Sequence, residues 1–176
     1  MSITPTRILI ASVALASETP IIFFPNISQA YDDLELVLSS RAGTTSTGGG
    51  SVRAMLNTVT GYSQRTVYGA GTSGTFGSQG STDAFMRVGS SVNPSDATGF
   101  SVDRAFIFNY SSTTANTKVS FARTAQPNRG SSVAAFHLDA VSTCTQAGPV
   151  TSITLQRDGY GFFAAGTRIN LYGIGR

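Results

Sequence analysis

The residues able to do chemistry are few: one histidine, one cysteine and nine carboxylates in 176 residues. Nucleophilic catalysis needs a base beside the nucleophile. The only histidine, His137, lies in Ala135-Phe136-His137-Leu138, between apolar neighbours. That setting predicts a half-buried imidazole bonded to a backbone carbonyl, not a general base. A zinc site needs several His, Cys or carboxylate ligands, and His137 with Cys144 falls short. Asp32, Asp33, Asp96 and Asp158 supply oxygen ligands, yet no Asp-x-Asp-x-Asp-Gly calcium loop contains them. Glycosidase chemistry needs two carboxylates flanking one cleft. Nothing in the order of Glu18, Asp32, Asp33, Glu35, Asp83, Asp96, Asp103, Asp139 and Asp158 sets two of them there. The expectation is a protein without catalytic residues, metal or cofactor.

Two glycine-rich stretches imitate phosphate-binding loops. Gly69-Ala70-Gly71-Thr72-Ser73-Gly74 matches G-x-G-x-x-G after the strand-like Thr66-Val67-Tyr68. The motif works only if a helix starts there, with an acid about 20 residues on. Thr75-Phe76-Gly77-Ser78-Gln79-Gly80 is a poor helix, Asp83 comes too early and Asp96 sits in the turn Asn93-Pro94-Ser95-Asp96. Gly48-Gly49-Gly50-Ser51 lacks the Lys-Ser/Thr ending of a P-loop. Both read as loops.

These groups must be positioned by a neutral scaffold. Charged residues are 12%, about half the usual ~25%, and Ser, Thr, Gly and Asn supply the polarity. The net charge is +3, with arginines scattered along the chain and Lys118 as the only lysine. Nucleic-acid binding needs a clustered basic stripe, so no nucleic-acid partner is expected. Scattered arginine without lysine suits a protein interface. A lone cysteine forms no intrachain disulfide. Arg7 before the apolar run Ile8–Leu15 imitates a leader peptide, but Ser12 interrupts the run, and a first β-strand is expected. No stretch reaches the ~18–20 apolar residues of a membrane span, so no membrane partner is expected.

Short apolar segments separated by Gly, Ser, Thr, Asn and Pro predict strands. They cover Thr6–Ala14, Pro20–Phe24, Leu34–Arg41, Val52–Asn57, Ser63–Tyr68, Ala84–Val88, Ser101–Tyr110, Thr117–Thr124, Ser132–Leu138, Ser152–Arg157 and Arg168–Ile174. Leu34, Leu36 and Leu38 share one face opposite Glu35, and Ile169 and Leu171 point away from Arg168 and Asn170. Arg104, Phe106, Phe108 and Tyr110 alternate with Asp103, Ala105, Ile107 and Asn109, so both faces there are largely apolar. Two segments also fit a helical period: Leu34, Val37, Leu38 and Arg41 after Asp32-Asp33, and Val133, Phe136, His137, Ala140, Val141 and Cys144. Gly43–Ser51 and Gly69–Ser81 read as long loops. The fold class expected is all-β: an antiparallel, jelly-roll-like β-sandwich in one domain, residues 6–176, with at most one or two short helices and an extended arm over residues 1–5.

Four stretches in order carry a resemblance: Ile21-Ile22-Phe23-Phe24-Pro25-Asn26-Ile27-Ser28-Gln29-Ala30-Tyr31 running on to Arg41; Phe108-Asn109-Tyr110-Ser111-Ser112 with Lys118 and Ser120; Val150-Thr151-Ser152-Ile153-Thr154-Leu155; and Phe163-Ala164-Ala165-Gly166-Thr167 with Leu171-Tyr172-Gly173-Ile174. This set resembles a family of small tailed-phage virion proteins with a jelly-roll-like β-sandwich, of capsid decoration, minor structural or tail-fibre type. Members often carry an aromatic, frequently Trp, ahead of the Ile-Thr-Leu strand. This chain has no Trp, and Phe136 and His137 occupy that region.

The resemblance implies a non-enzymatic capsid decoration (cement) protein on the virion surface, with the major capsid protein as partner and a homotrimer as its own assembly. The alternative is a tail-fibre or tail-tip domain that binds a host glycan through Tyr62, Tyr68, Phe76 and Tyr160. The family implies no catalytic residues. Candidate interface residues are the arm Met1, Ser2, Ile3, Thr4 and Pro5, and three apolar positions expected to face outward, Val37, Met55 and Ile107.

Overall fold

The computed structural model describes residues 6–44, 50–70, 75–92, 99–114, 116–127, 136–158 and 161–175, without the side chains of 70, 75–79 and 116. Their strands are β1 (Thr6–Ala14), β2 (Ile21–Phe24), β3 (Asp33–Ser39), β4 (Gly50–Leu56), β5 (Tyr62–Ala70) and β6 (Thr75–Asp83), followed by β7 (Met86–Ser91), β8 (Val102–Phe108), β9 (Asn116–Gln126), β10 (Phe136–Gln146), β11 (Ile153–Arg157) and β12 (Arg168–Gly175). They form two antiparallel sheets, an eight-stranded one in the order β1-β12-β3-β8-β9-β10-β5-β6 and a four-stranded one in the order β2-β11-β4-β7. The chain is an all-β sandwich.

Alternation builds the core between the sheets. Leu34, Leu36 and Leu38 of β3, Ile169 and Leu171 of β12, and Ile153 and Leu155 of β11 are all buried. Burying each such side chain contributes roughly 1.5–3 kcal/mol. Glu35 points to the opposite face from its leucine neighbours.

Both helical readings are overturned. Asp33–Ser39 is β3, and Phe136–Gln146 is β10, which alternates buried and solvent-facing side chains over its whole length. Phe136, Ala140 and Cys144 lie four apart. That spacing is even, so it satisfies a strand face as well as a helix face. Of the strand expected at Ser132–Leu138, Phe136–Leu138 lie in β10, which runs on to Gln146, and residues 128–135 lie outside the described residues.

The loop reading of Gly69–Ser81 is also corrected. Residues Thr75–Asp83 form β6, which pairs with β5 from Tyr62↔Asp83 to Ala70↔Thr75. This strand has almost no apolar alternation, so its sequence gives no period-2 signal. The exposed edge of β5 holds it instead, and Gly80 leaves room for Arg65, whose Nη1 would lie 2.6 Å from a Cβ there.

A third correction concerns Ile107. It is fully buried, so it faces the core and not solvent. Tyr110, expected on the same side as Phe106 and Phe108, is also buried. Asn109 has φ 58°, a left-handed conformation that Asn tolerates. It breaks the alternation and turns Tyr110 inward, where its hydroxyl donates to the Ser28 carbonyl.

Candidate docking interface

The outward face of the eight-stranded sheet carries one continuous row across seven strands. Leu9 stands beside Tyr172, Tyr172 beside Glu35, Glu35 beside Phe106, Phe106 beside Phe121, Phe121 beside Val141, and Val141 beside Arg65. Phe108 stacks beside Phe106 with ring centroids 6.1 Å apart. On the same face Leu9 is 53% exposed, Val67 55% and Val102 63%.

Arginines lie over the aromatic rings of this row. The Arg7 guanidinium is 3.6 Å from the Tyr172 centroid, Arg104 5.0 Å from Phe106 and Arg123 5.8 Å from Phe121. Such contacts are attractive because the ring face is electron-rich. Glu35 points outward yet has no exposure, because Arg7 (2.6 Å) and Arg104 close over it as ion pairs. Arg123 pairs with Asp139 at 2.9 Å, and His137 Nε2 lies 3.2 Å from the same carboxylate. Burial alone would push the Asp139 carboxyl up, but Arg123 and His137 outweigh it and hold it below the usual carboxylate range. The bond to Asp139 in turn raises the Arg123 guanidinium above its ordinary value. The arrangement is an apolar, aromatic surface whose cations are held in place. Aromatic residues and arginine without lysine are the composition enriched at protein interfaces.

Among the described residues, the side chains able to do chemistry do not converge on one cleft. His137 is 52% exposed, and its Nε2 faces the Asp139 carboxylate, which corrects the backbone-carbonyl partner expected for it. Cys144 is buried, and burial pushes its thiol up. Asp83 and Asp158 both bind Arg53, at 3.5 and 3.0 Å, so a cation separates them. Glu18 accepts from the Thr44 amide at 2.7 Å. Asp96 lies outside the described residues. Among those described, no group of three or more His, Cys, Asp or Glu side chains could hold a metal ion. Gly69 and Ala70 end β5, and the segment that the dinucleotide motif needs as a helix is β6.

Two ends of the sandwich are polar. At one, Asp32, Asp33, Asn109, Ser111 and Ser112 line a shallow depression of about 290 Å³. The buried Lys118 closes the adjoining turn by donating to the Asn109 and Ser112 carbonyls at 2.8 and 3.1 Å. Asn57, with φ 51°, accepts from the Thr151 and Ser152 amides at 2.8 and 3.0 Å. At the other end Asp103 is fully buried, taking a hydrogen bond from Ser101 Oγ at 2.7 Å and one from the Ser90 amide at 3.0 Å. These groups are spent on turns and on each other.

The three described candidate interface residues are not brought together. Val37 is partly buried on the outward face of the large sheet, Met55 partly buried on that of the small sheet, and Ile107 is in the core. Met1, Ser2, Ile3, Thr4 and Pro5 lie outside the described residues. Of the proposed sugar-stacking rings, Tyr62 is fully buried and Tyr68 packs against Phe136 at 6.2 Å. The Phe76 side chain and Tyr160 lie outside the description.

The aromatic row was missed, though a signal for it existed. Arg104-Ala105-Phe106 and Phe121-Ala122-Arg123 are mirror images, and antiparallel pairing of β8 with β9 sets Phe on Phe and Arg on Arg. Among known proteins, no family model matches this sequence, and no curated protein or solved structure matches it either.

Proposed function

We propose that this chain is a non-enzymatic structural protein of a tailed-phage virion, a decoration protein that docks on the major capsid protein through the outward face of its eight-stranded sheet. The observation that carries this reading is the row from Leu9 to Arg65, with Phe106, Phe108 and Phe121 at its centre. Binding energy would come from covering those rings and valines. The arginines, already tied to Glu35 and Asp139, would fix orientation.

The strand order supports the same reading. We read β1-β12-β3-β8 facing β2-β11-β4-β7 as an eight-stranded jelly roll, because successive strands of this set step between the sheets at every junction except β4 to β7, which pair with each other at the centre of the wrapped order. On this reading β5-β6 and β9-β10 are added hairpins that widen one sheet. Jelly rolls recur in viral capsid and lectin domains. Fold alone does not fix function, and the outward aromatic row supports docking independently of it.

Denaturing-gel densitometry of purified virions tests the proposal. A copy number comparable with that of the major capsid protein is expected, and a few copies per particle would overturn it. Phe106→Asp with Phe108→Asp is expected to abolish attachment to capsids while leaving the protein folded. Immunogold label on the tail instead of the shell would favour a tail protein.

A further inference from the structure

The eight-stranded sheet ends in two different edges. β6, at one end, is Thr-Phe-Gly-Ser-Gln-Gly-Ser-Thr-Asp, rich in residues that favour solvent. β1, at the other, is Thr-Arg-Ile-Leu-Ile-Ala-Ser-Val-Ala and pairs on one side only, with β12. Among the described residues no strand, bridge or loop backbone bonds to its other side. Ile8 is 44% exposed and Leu9 53%. Natural edge strands are blunted by lysine, proline, inward charge or short length. β1 has nine residues, no lysine and no proline, and its one charge, Arg7, is already neutralised by Glu35.

We infer that β1 is a self-association edge, through which two copies of this chain pair antiparallel about a two-fold axis near Ile10. An open row of alternating amides and carbonyls is matched by another extended strand, and every copy carries one of equal length. A bulge at Ile10 divides the ladder with β12 into Thr6–Leu9 and Ala11–Ala14. Bulges also deter edge pairing. An axis between Ile10 and Ala11 sets Leu9 against Ser12, Ile8 against Val13 and Arg7 against Ala14, so opposed side chains share a face on both sides of the bulge. It also puts the two Arg7 side chains at opposite ends, which removes like-charge contact. The eight residues Arg7–Ala14 so paired give about eight hydrogen bonds, within the range of roughly 10 ± 5 for a specific interface. Leu9 on one face and Ile8 on the other add apolar area. The result is an isologous dimer with a continuous sheet across the axis. It takes the place of the trimer that the family resemblance implies, and of the docking row it uses only the terminal Leu9.

The test combines sedimentation with amide hydrogen exchange on the full chain at low and high micromolar concentration. Expected are a concentration-dependent dimer and slower exchange in Thr6–Ala14 at the higher concentration, with β6 unchanged. Leu9→Lys and Ile8→Lys, at exposed positions, are expected to weaken the dimer about tenfold or more. Thr82→Lys on β6 and Phe108→Asp on the outward face should leave it intact. A monomer throughout the range, or a dimer in which β1 exchange does not slow, would overturn the inference. Exchange in the unmodified chain decides the matter even if a lysine variant fails to fold.

Discussion

Arg104 and Arg123 stand directly opposite one another on β8 and β9, and each is tied to a different carboxylate, Glu35 and Asp139. Two like charges in register destabilise a sheet unless each is neutralised. Glu35 is fully buried and serves Arg7 as well. Glu35→Gln is therefore expected to cost about 2–4 kcal/mol in urea denaturation, close to the effect of breaking a buried pair. Asp139→Asn, at a pair open to solvent, is expected to shift the midpoint much less.

Stability should fall as pH rises through neutrality. Burial raises the Asp103 carboxyl from 3.8 to about 7, against the opposing hydrogen bonds from Ser101 Oγ and the Ser90 amide. Between those two values the folded chain keeps a proton that the unfolded chain has lost, so folding is favoured at the acid end. The advantage disappears as pH climbs and is gone above about 7, a change of at most about 4 kcal/mol. Urea midpoints measured from pH ~5 to ~8 should show this slope, and Asp103→Asn should flatten it.

Neighbours on β8 should respond by very different amounts. Ile107→Ala removes a fully buried side chain and is expected to cost about 2–5 kcal/mol. Phe108→Ala, one residue on, acts on a ring 36% exposed and should change stability by less than about 1.5 kcal/mol. Thermal melts of the two variants check the alternation directly.

Tyr62 is buried with its hydroxyl accepting the Leu56 amide at 2.9 Å, and burial pushes its ionisation well above the ordinary tyrosine value. Tyr62→Phe leaves that amide without a partner and should cost about 1–3 kcal/mol. Exchange of the Leu56 amide should quicken in the same variant.

Most of the sandwich could be read from the chain because alternation is a local signal. Thr6–Ala14 coincides with the strand expected there, and Leu34, Leu36 and Leu38 face the core as their spacing requires. What escaped is whatever a neighbour imposes. β6 is a strand because β5 offers it an edge, not because Thr-Phe-Gly-Ser-Gln-Gly repeats any period. Ile107 looked as suited to solvent as Phe106, since both faces of β8 are apolar. Only the register with β3 and β9 decides which face meets the small sheet. The docking row is a property of register in the same way, assembled from residues that lie far apart in sequence.

The pairing of Thr6–Ala14 with Arg168–Gly175 joins segments from opposite ends of this sequence. While the chain is being made on a ribosome, the first strand must wait for the last one. Until Arg168–Gly175 emerges, β3 also lacks its neighbour on that side, and two apolar strands are left with open flanks. Assembly of so distant a contact is slow, and an incomplete chain with open flanks is prone to stick to its own kind. Premature termination a few residues before Arg168 would therefore yield aggregates, not a smaller soluble fold.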